Sequence, residues 1–186
     1  MKITNNDKVL IIAFIVLGFL TRTIFTIGPN VEFVTVASLG AGFFMNNKKL
    51  ALIVPLVIMA LSDAVIGNTS IFIFTWSAFL LTPIIGIVLS KLNMQKGILH
   101  PALAGLGGSV LSVIIFYLWT NFGVVITTTM YPDTISGLMN SYINALPFLK
   151  NQLYANIIFA PMIFTLVALA KDYFENKFQN INEAIS

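Results

Sequence analysis

The sequence predicts an all-α integral membrane protein, a single domain over residues 1–186 with six transmembrane helices and both termini cytoplasmic. Three observations predict it. Of 186 residues, 58% are hydrophobic and 9% charged, whereas a soluble domain carries about 25% charged residues. Apolar runs approaching the roughly 20 residues needed to cross a bilayer recur along the chain and leave room only for loops. Lysines fall in alternate connections, the pattern that sets orientation.

The first span runs from Val9 to Ile27, carries Arg22, and is broken by Gly28-Pro29-Asn30. It exceeds the about 7–15-residue apolar core of a cleaved signal, and no small-x-small site follows it, so it reads as an uncleaved span. The second, Val31 to Met45, is short and rich in small residues. The third, Leu50 to Ile66, holds Pro55 and Asp63. The fourth, Ser70 to Ser90, holds Trp76 and a Thr82-Pro83 break. The fifth is Pro101 to Trp119 and the sixth Leu153 to Ala170.

The stretch 120–152 is mixed. Tyr131-Pro132 turns the chain, and Asp133 or Thr134 can cap a helix. Ile135, Leu138, Met139, Tyr142 and Leu146 then recur at helical spacing, while Ser136, Asn140 and Asn144 form a polar row. Pro147 bounds the segment. The pattern predicts a short amphipathic helix over 133–148 at the outer interface, either a lid or a static element.

Orientation follows from the basic residues. With the N-terminus inside, the cytoplasmic segments hold Lys2, Lys8, Lys48, Lys49, Lys91, Lys96, Lys171 and Lys177, eight of the ten basic residues. Arg22 and Lys150 fall towards the outside. Positive charge resists translocation, so this split supports six crossings.

Composition also excludes chemistry. With no cysteine, thiolate catalysis, Fe–S clusters and Cys-ligated zinc are out. A single histidine, His100, argues against a His-based metal site, and because it lies on the opposite side it forms no Ser-His-Asp relay with Ser62-Asp63. Basic residues scattered singly or in pairs form no nucleic-acid stripe. Gly105 to Gly108 lacks the Lys and Ser/Thr of a nucleotide-binding loop. No cofactor is expected.

The remaining polar chemistry concentrates at the outer side: Arg22, Glu32, Asp63, Asn68, Asn121, Asp133, Asn140 and Asn144, with Trp76, Trp119, Tyr131 and Tyr142. Apolar walls with a few convergent polar groups suit a small-molecule pocket. Charges inside apolar runs are costly and usually face the bundle or a wet cavity. Arg22 and Asp63 are therefore expected to bind polar ligand groups. Asn121, Tyr131, Asn140 and Tyr142 would supply hydrogen bonds and stacking, and Trp76 and Trp119 the walls. The alternative is a structural pair, or Arg22 snorkelling while Asp63 caps a turn. In the second span, Ala37 with Ala41 and Ser38 with Gly42 are small residues four apart. Such a stripe brings helices close, either as a docking groove for a partner subunit or as internal packing.

The ordered motifs Pro29-Asn30, Ala51-Leu52-x-x-Pro55-Leu56, Ser62-Asp63-x-x-x-Gly67, Thr120-Asn121-Phe122-Gly123, Tyr131-Pro132-x-Thr134-x-x-Gly137-Leu138, Tyr142 and Leu146-Pro147-Phe148 resemble a family of uncharacterised bacterial integral membrane proteins described only as candidate transport proteins. That family is similar in turn to the substrate-binding S components of energy-coupling factor (ECF) vitamin transporters. The resemblance implies an S-component-like six-helix bundle in the bacterial cytoplasmic membrane. It implies capture of a vitamin or other nutrient from outside, and delivery by toppling on a transmembrane coupling subunit driven by two ATPases. One departure stands out: the small residues that S components carry in their first helix cluster here in the second span. The expected function is small-molecule uptake without catalysis. The rival is a structural or assembly protein of the cell envelope, and a membrane enzyme using Asp63 as acid or base stands behind both.

Overall fold

The computed structural model describes residues 4–185 apart from 26, 27, 29, 32, 93–96 and 98. Lys2, Ile27, Pro29, Glu32 and Lys96, used above, lie outside the described residues. The described chain is all helical, with no strand: α1 Asn5–Thr23, α2 Val34–Phe44, α3 Lys48–Ile66, α4 Phe72–Lys91, α5 Leu99–Thr127 and α6 Ile135–Ile185. Four of these, α3 to α6, contain stretches long and apolar enough to cross a membrane. In α1, Asp7 and Lys8 at one end and Arg22 at the other leave no comparable uncharged stretch.

α1 begins four residues before the first apolar run because Thr4 caps it, its Oγ1 accepting from the Asp7 amide at 3.1 Å. α2 has only 11 residues, roughly 16 Å at 1.5 Å per residue, and it is buried on every face. Val34, Ala37, Ser38, Leu39 and Ala41 have no exposed surface. The other five helices wall it in. Their outward sides carry exposed apolar chains such as Val9, Ile12, Ile53, Val65, Ile73, Val88, Leu111 and Ile158, a surface far more apolar than soluble proteins expose.

α2 and α4 approach each other closely. A Cβ on Gly42 would stand 2.0 Å from the Pro83 carbonyl oxygen, and one on Gly86 would stand 2.2 Å from that of Leu39. Backbones in such contact gain dispersion and exclude lipid, the main source of helix affinity where water drives nothing. Ala37, Ser38, Ala41 and Gly42, the stripe read above as a docking groove or as packing, are all buried inside the chain, against its own helices.

Two boundaries move. α5 runs on for eight residues past Trp119 to Thr127, so Thr120 and Asn121 sit on a helix. Their side chains fold back onto carbonyls one turn earlier, which lets polar residues continue an apolar helix. The 133–148 segment is not a separate helix ended by Pro147. α6 is continuous for 51 residues through Pro147 and Pro161. Each proline forfeits one backbone bond, a loss that packing against neighbouring helices makes tolerable in membrane bundles.

The ends of the bundle differ in chemistry. At one end the Asp7 carboxylate accepts from the Asn46 amide at 2.8 Å. Lys48 Nζ donates to the Gly42 carbonyl at 2.8 Å, and Lys171 Nζ to that of Phe44 at 3.1 Å, so two ammonium groups meet the open carbonyls that end α2. The opposite end gathers the α1–α2, α3–α4 and α5–α6 connections.

Candidate functional site

At that opposite end Arg22 leaves the last turn of α1 towards α3. Its Nη1 lies 2.7 Å from Asp63 Oδ1, with side chains 15% and 7% exposed, and it donates to Ser62 Oγ at 2.7 Å and approaches Met59 Sδ at 2.9 Å. Trp76 of α4 donates its indole N–H to Asp63 Oδ2 at 2.8 Å. Three helices are thus tied by one buried charge pair. The α3 helix ends directly beyond, where Gly67 at φ +84° donates its N–H to the Asp63 carbonyl at 2.9 Å, a positive-φ conformation that glycine adopts without strain.

Beside this pair lies a cavity of about 370 Å³. Arg22 forms one edge and Asn30, in the left-handed region at φ +59°, another. Ile71 and Thr75 come from the start of α4, and Phe116, Tyr117, Thr120, Asn121 and Val124 from one face of α5. Met130 and Tyr131 stand on the α5–α6 connection, and α6 closes the wall with Ser141, Asn144, Ala145, Phe148, Leu149 and Gln152.

Most polar groups of the lining already spend their protons inside the protein. Thr75 donates to the Ile71 carbonyl, Thr120 to that of Phe116, and Asn121 Nδ2 to that of Tyr117. Ser141 Oγ lies 3.2 Å from the Asn121 carbonyl and 3.3 Å from its Oδ1. Tyr117 donates to the Tyr142 carbonyl at 2.6 Å. Tyr131 Oη accepts from Asn144 Nδ2 at 3.2 Å, which leaves its own proton for a further acceptor. Gln152 differs from all of these. It is 2% exposed, and its Nε2 has no hydrogen-bond partner among the described residues.

Of the residues expected at the site, Arg22, Asn121 and Tyr131 line the cavity. Asp63 and Trp76 act behind them, through the ion pair and the indole bond. Three do not line it. Asn140 is exposed on α6, because a residue one position before Ser141 is turned about 100° away on a helix. Trp119 and Tyr142 line a separate apolar groove with Leu81, Ile115, Leu118 and Phe122. There Trp119 donates to Ser77 Oγ at 2.8 Å and Tyr142 Oη to the Leu118 carbonyl at 3.1 Å.

Residues that sequence reasoning missed are Thr75, Tyr117, Thr120, Ser141 and Gln152. Their stripe on α6 (141, 145, 148, 152) has helical spacing, but it crosses Pro147, where a break was expected. Among the described residues no group of three His, Asp or Glu side chains is placed to hold a metal ion.

The chain belongs to a family of unknown function, DUF6580, whose profile matches residues 2–180. No curated protein matches it, and neither does any solved structure. Membership agrees with the expectation of an uncharacterised family and carries no activity with it.

Proposed function

We propose that this protein sits in the bacterial cytoplasmic membrane, crosses it six times with both ends inside, and captures a small molecule from the outer side. On this reading it works as the substrate-binding S component of an ECF-type transporter does, or as a solitary relative. The observation that carries the reading is the cavity. Its volume of about 370 Å³ falls in the range of ligand pockets, about 300–1,000 Å³, and its lining combines aromatic side chains with polar groups from α1, α4, α5 and α6. A coupling subunit with two ATPases would have to dock elsewhere than on the α2 stripe.

Native mass spectrometry of protein taken from its own membranes tests this. The expected result is a retained small molecule that is lost in Asn121→Ala. Protein that carries none, and takes none up from a metabolite extract, sinks the proposal. A second reading, an assembly or structural protein of the envelope, is favoured by one observation: Arg22, Asp63 and Trp76 satisfy one another. Envelope defects on gene deletion, with no change in solute uptake, would select it.

A further inference from the structure

We infer that Gln152 is the specificity-determining donor of the cavity, and that the ligand it selects is an uncharged, flat-ringed compound bearing an amide or lactam group. The inference names the substrate class of the capture reading and rests on it.

The first support is an unmet hydrogen bond. Gln152 is 2% exposed and lines the cavity at its furthest point along α6, and its Nε2 meets no acceptor among the described residues. A buried amide left so destabilises the fold, and such groups call for an explanation. A ligand acceptor that enters the cavity supplies one.

One turn further along α6, behind the lining, stands the complement. Asn156 is 1% exposed. Its Nδ2 donates to the Gln152 backbone carbonyl at 2.9 Å, while its Oδ1 has no partner among the described residues. Residues four apart on a helix are neighbours on one face. Two consecutive turns of α6 therefore hold an unused donor that lines the cavity and an unused acceptor buried on the same helix face just behind it. An amide or lactam carries the matching pair, a carbonyl oxygen for Gln152 and an N–H for Asn156.

Charge narrows the class. Among the described residues that line the cavity Arg22 is the one with a charge, and its guanidinium stands 2.7 Å from Asp63. A carboxylate ligand would enter a site whose cation is already balanced and would leave its own charge uncompensated in low dielectric. A neutral ligand avoids that cost. Shape comes from Phe116, Tyr117 and Phe148, whose ring faces favour a flat ring.

The test uses full-length protein in lipid nanodiscs and three probes: benzamide, benzoate and cyclohexanecarboxamide, observed by saturation-transfer NMR at millimolar concentration. Benzamide should bind, and the other two should bind more weakly. Gln152→Met keeps the length of the chain without its amide. It should weaken benzamide by about tenfold or more, the worth of a buried hydrogen bond, and should melt no lower than the parent, because it removes an unmet donor. If Gln152→Met fails to fold, Gln152→Asn draws the donor back by one carbon and carries the same comparison. Equal benzamide binding in parent and variant, benzoate binding as tightly as benzamide, or no benzamide signal from the parent would each overturn the inference. Native mass spectra of the same sample separate the two failures. A retained molecule that no probe displaces overturns the amide class and leaves capture standing, whereas an empty protein that binds no probe overturns both.

Discussion

The guanidinium of Arg22 on α1 and the carboxylate of Asp63 on α3 stand 2.7 Å apart at the edge of the cavity, and Trp76 of α4 holds the second carboxylate oxygen. Either charge alone is poorly tolerated there. Removing one partner of a buried pair costs about 3–5 kcal/mol, while replacing both with apolar groups is often neutral. Arg22→Met and Asp63→Leu should each lower thermal stability in detergent, and the double variant should recover most of the loss. Additive losses in the double-mutant cycle would show that the two do not act as a pair.

Glycine substitutions on two helices should separate contact from propensity. A methyl on Gly42 meets the Pro83 carbonyl oxygen at 2.0 Å, whereas nothing lies within 4 Å of one on Gly107. Gly42→Ala is expected to destabilise by about 3 kcal/mol, the upper end for overpacking, or to block folding. Gly107→Ala should be neutral or stabilising by up to about 1 kcal/mol, the helix-propensity gain. Melting curves of the two proteins compare them directly.

Ligand retention should follow the cavity wall and not the surface polarity of α6. Asn121→Ala removes an amide that also receives Ser141, and should reduce occupancy about tenfold, or about 1.4 kcal/mol. Asn140→Ala, on the exposed side of the same end, should leave occupancy unchanged. Equal effects at both positions would relocate the site.

Orientation can be read with single cysteines, because the chain has none of its own. Cysteines at exposed Asn68 and Met130 should react with a membrane-impermeant maleimide on intact cells. Those at exposed Lys49 and Lys91 should react only after permeabilisation. Labelling of Asn68 and Lys49 from the same side would break the six-crossing topology.

Hydropathy located all six helices, and loop chemistry located the cavity end, because long apolar runs and stranded charges leave strong local signals. The part that stayed hidden depends on contacts between distant segments. α2 shows no sided pattern because all its faces are buried, so its stripe read equally well as a groove or as packing. Gln152 follows Pro147 and Lys150 in a polar stretch that resembles a loop, and only a continuous α6 turns it inward. Asn140 looked equivalent to Asn144, yet only Asn144 reaches the cavity. Trp76 and Trp119 are alike as sequence signals. The first meets Asp63 and the second meets Ser77, a difference set by which neighbour each helix face finds.

The shortness of α2 has a consequence for any solute held beside it. Its first residue lies four positions after Asn30, which touches the cavity, and its last carbonyls are gripped by Lys48 and Lys171. Eleven residues make a septum of roughly 16 Å, about half the thickness of the hydrocarbon layer, near 30 Å. On the capture reading, a solute held in the cavity near Asn30 would lie about one such helix length from the end that Lys48 and Lys171 close, a shorter path than a full bilayer crossing.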